Sequence, residues 1–240
     1  MESLLLMEYS VSQWALLFFL CSFAGWCWEV ALYVLRERRF VNRGFLAGPI
    51  LPIYGFGALC ILVVCMPVRG SLVGIALTGM LAATALEYAA GAAMEALFHV
   101  RYWDYSDQPM NLHGHVSLLS AMTWAAFSVL LVRGIHPLVQ PMLSRAAPLL
   151  AGVAAAAMGA FALLDASTAV RRAMDLRRLL AGADEAEDTQ AYRRRLAKAQ
   201  RLLRRNPGAV SRRYGEPLER LKQEAQSPRT RAGGGHTLES

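Results

Sequence analysis

Apolar residues fall along this chain in five long runs separated by short polar stretches, at 14–35, 50–66, 72–98, 116–132 and 148–170. Each run approaches the ~17 to 25 residues that a helix needs to cross ~30 Å of hydrocarbon. The pattern therefore predicts five membrane-spanning helices. Pro49 and Pro52 interrupt the start of the second run, where an uninterrupted helix is least expected. After Val170 the pattern changes. Ala169, Ala173, Leu176 and Leu180 keep helical spacing among Arg171, Arg172, Arg177 and Arg178, so the fifth helix is expected to continue out of the membrane. The stretch from Gly182 to Asp188 is acidic and reads as a break. Tyr192, Leu196, Ala199 and Leu203 then make the apolar stripe of a basic amphipathic helix, suited to anionic lipid, to a protein partner, or to plain solvation while it fixes topology. From Asn206-Pro207-Gly208 onward the Pro, Gly and charge content predicts no order. The organisation expected is a membrane domain at 1–170, a basic cytoplasmic helical segment at 171–205 and a disordered tail at 206–240.

Composition agrees with a membrane protein: 55% of the 240 residues are hydrophobic, more than a soluble domain of this size usually carries. The charge is uneven. From Arg171 on there are 17 basic and 9 acidic residues, which accounts for the whole net charge of +7. Arg36, Arg38, Arg39 and Arg43 follow the first run, while the later loops carry only one or two arginines each. Basic residues collect at cytoplasmic helix ends, so the N-terminus is expected outside and the C-terminus inside. The positive charge is thus a topological address, and nucleic acid is not the expected partner. The residues before the first run include Glu2 and Glu8 but no Lys or Arg, so that run is expected to remain in the mature protein. Cys21, Cys27, Cys60 and Cys65 lie within predicted spans without C-x-x-C spacing and read as small buried apolar side chains.

The third run carries the chemistry. Glu87, Gly91 and Glu95 are spaced i, i+4, i+8, which places two acids on one helix stripe with a glycine between them. An ionised side chain near the bilayer centre costs at least ~2.5 to 3.5 kcal/mol, so both should face protein or water. They are either a functional cavity or a structural pair bonding neighbouring helices. Glu29 follows Gly25-Trp26 in the first run. The segment from Asn42-Arg43 through Gly48-Pro49 to Gly57 mixes glycine and proline at the membrane entrance, so it is either a re-entrant element needing protein partners for its backbone or a simple loop before a proline-started helix. The loop after the third run opens at His99 and holds Trp103 and Tyr105, whose rings suit the membrane interface without further function, while Asp104, Asn111, His113 and His115 fall on the same expected side as Arg43, Glu29 and Glu95. Together these groups suggest a cytoplasm-facing polar vestibule. His99, Asp104, His113 and His115 are possible metal ligands by type but lack a recognised zinc spacing. Ser106 with His113 lacks a nucleophile elbow. No catalytic residue, metal or cofactor is assigned. The P-loop pattern G-x-x-x-x-G-K-[ST] is absent, so any ATP-driven role requires a separate ATP-binding subunit.

Gly25-Trp26 with Glu29, Asn42-Arg43-Gly44-Phe45-Leu46 with Gly48-Pro49, Pro52-Ile53-Tyr54-Gly55 with Gly57, Leu86-Glu87-Tyr88 with Glu95, Trp103-Asp104-Tyr105-Ser106, and Asn111 with Gly114 occur in an order and spacing that resemble the "Putative ABC-transporter type IV" family, also called CmpB-like, over about residues 20–135. The resemblance implies a bacterial multi-pass membrane protein of permease type, located in the cytoplasmic membrane. It supplies no mechanism, and the EAA-type coupling signature of importer permeases is not seen. The expectation is an all-α polytopic membrane protein with about five transmembrane helices and a basic cytoplasmic tail. It would be a permease component handling a small solute, with Glu29, Asn42, Arg43, Glu87, Glu95, Asp104 and Asn111 lining its pathway. Its expected partners are the lipid bilayer, a separate ATP-binding subunit, and anionic lipid or a protein for the tail. The alternatives are an intramembrane enzyme acting on a lipid or polyprenyl substrate, and a non-catalytic membrane scaffold.

Overall fold

A computed structural model describes residues 9–182 and 189–226. Its helices are α1 (Val11–Glu37), α2 (Pro52–Cys65), α3 (Leu72–Phe98), α4 (Leu118–Leu130), α5 (His136–Arg145), α6 (Pro148–Leu180), α7 (Thr189–Arg205) and α8 (Gly215–Gln226). Local chemistry sets most of their ends. Ser10 and Gln13 close a capping box on α1, and Ser117 and Ser120 do the same on α4. Ser71 caps α3, while Pro52 and Pro148 occupy opening positions of α2 and α6, where the missing N–H costs nothing. Arg38 and His99 end α1 and α3 in the left-handed region.

Four helical stretches are long and apolar enough to cross a membrane, Val11–Glu37, Leu72–Phe98, Leu118–Arg145 and Pro148–Leu180, and Pro52–Val68 is a shorter apolar one. The protein is an all-helical membrane protein with about five spans. Leu77, Leu81, Leu119, Met122, Leu163 and Leu164 stand exposed on these helices, the sign of surfaces whose solvent is lipid rather than water. The interior of the bundle is built by Leu17, Ile61, Leu62, Ile75, Ala83, Trp124 and Leu131.

Three departures from the pattern bear on function. The fourth helix does not stop near Val132. It passes through a π-helical turn at Leu131–Ile135 into α5, because apolar residues continue past Arg133 and the ladder shifts its register just before Pro137, which has no N–H to give.

The second departure lies before α2, which begins deep in the bundle. Residues 38–51 are irregular and descend beside α1 until the Leu51 amide donates to the Ser22 carbonyl at 2.9 Å. Ser22 lies 15 residues inside the end of α1, about 22 Å at 1.5 Å per residue. The segment is re-entrant, and α2 crosses only the remaining distance.

Third, the tail is packed on the core. Ala199, Leu202 and Leu203 of α7 are buried against Ala173, Leu176 and Leu180 on the extension of α6 and against Val100 and Tyr102, so this part of the stripe makes an internal contact. Where the composition predicts disorder from Asn206, residues 206–226 instead pair Val210 with Arg101 in an isolated bridge and form α8, with Leu218 and Ala225 buried. A few well-placed apolar residues in a charged segment suffice because α6 and α7 already offer an apolar face. α6 continues to Leu180 as the pattern predicts; the acidic stretch 183–188 and residues 227–240 lie outside the described residues.

A polar core closed by two loops

Helix connectivity brings 38–51 and 99–117 to the same end of the bundle, the end that also carries α7 and α8. The two loops meet there, with the Phe45 ring against those of Phe98 and Tyr102 at 5.6 and 5.1 Å between centroids. Both reach inward, and each is held by side chains from the helices around it.

The re-entrant segment hangs on Asp165. This residue sits on α6, is 8% exposed, and accepts from the Ala47 amide at 3.1 Å through Oδ1 and from the Gly48 amide at 2.7 Å through Oδ2. Non-helical backbone at membrane depth survives only where protein satisfies it, and one carboxylate here satisfies two consecutive amides. Gly48 is required by this approach, since a Cβ would lie 2.9 Å from the Phe161 ring. Asn42 accepts from Trp26 Nε1 at 2.7 Å and donates to the Ala47 carbonyl at 2.7 Å. Asn206 donates to the Gly44 carbonyl, at a glycine whose φ of +118° suits no other residue well.

The second loop fills the face of α3 that bears the acids. Glu87 is 8% exposed and receives Trp124 Nε1 at 3.1 Å on one oxygen and the Tyr105 hydroxyl at 3.4 Å on the other. Glu29 accepts from the Tyr54 hydroxyl at 2.8 Å. The Tyr54 ring lies 5.6 Å from that of Trp124 between centroids, so α1, α2, α3, α4 and the loop converge on one acid pair ringed by two phenols and an indole. Burial, then the charges of Glu87 and Glu29, push the Tyr105 phenol well above its ordinary range, and it stays a neutral donor.

Two turns toward the loop end, Glu95 takes part in a second cluster. Its carboxylate lies 2.8 Å from Nε of Arg101 and 3.2 Å from Nε2 of His115, and Arg101 Nη1 lies 3.2 Å from Asp104. Arg101 is 2% exposed. Burial tends to raise the Asp104 carboxyl, but two hydrogen bonds from Ser106 and the Arg101 guanidinium outweigh it and hold it below the usual carboxylate range. Burial, with Arg101 nearby, holds His115 below its ordinary value, so the ring favours its neutral form.

The stripe of Glu87, Gly91 and Glu95 is thus turned toward protein, as the cost of a lipid-facing acid demands. Gly91 is approached by the loop and not by a helix: a Cβ there would meet Nδ1 of His115 at 2.9 Å and the Trp103 ring at 3.2 Å. The loop occupies the gap. The sequence-derived candidates do not all gather. Glu29 and Glu87 share one cluster and Glu95 and Asp104 the next. Asn111 bridges the Ser106 and Gln108 carbonyls and accepts from the Gly114 amide, while Arg43 lies over the Tyr33 ring at 5.1 Å. Among the described residues no group of three or more His, Cys, Asp or Glu is arranged to hold a metal ion. Sequence reasoning passed over Asp165, Tyr54, Tyr105 and Trp124. Asp165 had a signal, being the one charged residue in the run 148–170.

A helical bundle with a re-entrant half-span helix and a buried acid pair defines a polytopic membrane protein with a polar interior. The chain belongs to the family described as "Putative ABC-transporter type IV", whose model matches residues 16–170. The match takes in both loops, the acid pair and Asp165, and ends within α6, ahead of α7 and α8. No curated protein and no solved structure matches the chain.

Proposed function

We propose that this chain is the membrane-embedded component of a transporter driven by a separate ATP-binding subunit, and that Glu29 and Glu87 are its solute-contacting acids. The observation that carries the reading is Glu87: a carboxylate 8% exposed, 11 residues from the end of a 27-residue membrane helix, and linked to a second carboxylate, Glu29, through the neighbouring Trp124 and Tyr54 rings that bond one acid each. Two like charges in a low-dielectric site favour a bound cation or a proton between them. The solute class that fits is therefore cationic, or one whose movement is coupled to protons. Tyr54 and Tyr105 orient the two acids. Glu95 and Asp104, bridged by Arg101, lie along the way to the loop end, and Asn42 and Asn111 keep the two loops in place. Arg43 stays at the mouth on Tyr33. Positive charge at the loop and tail end supports an inward-facing C-terminus and an outward N-terminus in a bacterial cytoplasmic membrane.

The test is affinity purification of the full chain from its native membranes in mild detergent. An ATP-binding subunit retained in stoichiometric amount supports the reading. Recovery of the chain without an ATPase, under conditions that keep known transporter complexes intact, overturns it in favour of a scaffold, a role consistent with the internal hydrogen bonds of Asn42 and Asn111.

A further inference from the structure

We propose that the cleft between α1 and α6 binds one anionic lipid, with an acyl chain in the apolar groove beside the re-entrant segment and its phosphate held by Arg172, Arg201 and Arg205. Two independent features meet on one helix face.

The first is the groove, about 410 Å³, walled by Phe19 and Phe23 of α1, Pro49 and Ile50 of the re-entrant segment, and Met158 and Phe161 of α6. It opens on the lipid-facing surface, where Phe23, Met158 and Phe161 are partly exposed.

The second is the arginine cluster. The Lys198–Asp175 contact at 3.8 Å fixes an antiparallel register of α7 on α6, which sets Arg201 and Arg205 opposite Arg172. Arg205 reaches the Leu46 carbonyl of the re-entrant segment at 3.4 Å. Burial and the charges of Arg172 and Arg201 hold the Arg205 guanidinium below its ordinary value, with Asp165 opposing. The acids facing the cluster are already committed. Asp165 accepts from Ala47 and Gly48, and Asp175 faces Lys198. Among the described residues neither Arg172 nor Arg201 is in an ion pair, so three guanidinium groups face the single buried carboxylate of Asp165 and positive charge is in excess here.

Helix geometry joins the two. Phe161, Asp165 and Arg172 follow at i, i+4 and i+11, one stripe of α6. Eleven residues span about 16 Å, close to one leaflet of a ~30 Å hydrocarbon layer. A phosphate at the arginines therefore lets a chain run down the stripe into the groove. Two chemistries are needed at that separation, and a membrane phospholipid has both. The inference is independent of the transport reading.

The experiment uses the full-length chain in detergent, with dioleoyl phosphatidylglycerol and dioleoyl phosphatidylcholine as probes and native mass spectrometry to count bound lipid. Phosphatidylglycerol should be retained as one tight equivalent in preference to phosphatidylcholine. Arg172→Gln with Arg201→Gln should weaken it about thirtyfold, from about fivefold per arginine near a charged headgroup. Ala157→Trp, which fills the groove from its α6 wall, should weaken it as well while leaving the arginines in place. Equal retention of the two lipids, or an arginine pair variant that binds like wild type, overturns the proposal. So does displacement by millimolar inorganic phosphate, or an unaffected Ala157→Trp, since either leaves only a surface anion patch. If the arginine variant does not fold, the lipid comparison on wild type and the tryptophan variant still decide.

Discussion

Asp165 offers the sharpest test of the re-entrant architecture. In Asp165→Asn the side-chain oxygen still accepts from one amide, but the new NH2 group meets the other as donor against donor, so either Ala47 or Gly48 loses its partner. A buried N–H left unsatisfied costs about 1–3 kcal/mol. Asp165→Ala removes both acceptors and should cost roughly twice that, on the order of 2–6 kcal/mol, a large part of the ~5–15 kcal/mol that holds a typical protein folded. The order of the two variants matters more than either value, because neutralising a buried acid also lessens the penalty of burying its charge. Unfolding of the purified protein, titrated with SDS in mixed micelles and followed by tryptophan fluorescence, gives the difference directly. Alanine should be the weaker of the two and asparagine intermediate. Both variants within about 0.5 kcal/mol of wild type, the range of an ordinary surface substitution, would refute the claim that Asp165 holds the segment at depth.

Other outcomes follow from the same contacts. A Cβ at Gly79 would fall on the Ser128 side chain, whereas Gly159 has nothing within 4 Å; Gly79→Ala should lower the unfolding temperature, at a cost of about 1–3 kcal/mol for overpacking, while Gly159→Ala should leave it level or raise it. Truncation after Asn206 removes α8 and the Val210 bridge to Arg101, which should reduce thermal stability in detergent, and an unchanged melting curve would show that the tail packs only loosely. Burial holds His115 below the ordinary histidine value of about 6.5, so the unfolded chain binds the proton more readily; its contribution is present above about pH 6.5 and is lost as pH falls below it. Stability should therefore rise with pH up to that point, and His115→Gln should flatten the rise. Reporter fusions at Met1 and Ser240 should report opposite sides of the membrane, and a cytoplasmic signal from both would remove the inward-facing arrangement.

Long-range pattern made the spans readable, since a run such as 72–98 has one solution in a bilayer and the helix has the same bounds, Leu72–Phe98. The protein-facing turn of Glu87 was readable too, because the cost of the alternative is several kcal/mol. What stayed hidden depended on which partner came to which group. Gly91 announces a close approach without saying that His115 makes it, and Asn111 looks like a ligand group until its three backbone bonds are seen. Asp165 was visible as a lone acid in an apolar run, but its purpose lies 117 residues away at Gly48. The order of residues 206–226 was missed because composition reports average charge, while Leu218 and Ala225 need only a local apolar face already present on α6 and α7.

The central claim is that the Glu29 and Glu87 pair acts on what the transporter carries. The measurement that tests it most directly is ATP hydrolysis by the native complex in lipid nanodiscs, compared between wild type, Glu87→Gln and Glu29→Gln with Glu87→Gln. Glutamine keeps the shape and one acceptor oxygen for the Trp124 indole, and its NH2 can donate to the Tyr105 hydroxyl oxygen, since a phenol both donates and accepts, so elution profile and unfolding temperature should hold while the hydrolysis rate shifts about tenfold or more, equivalent to ~1.4 kcal/mol. Rates within about twofold of wild type in the double variant, with folding intact, would contradict the account and make the acid pair a structural one.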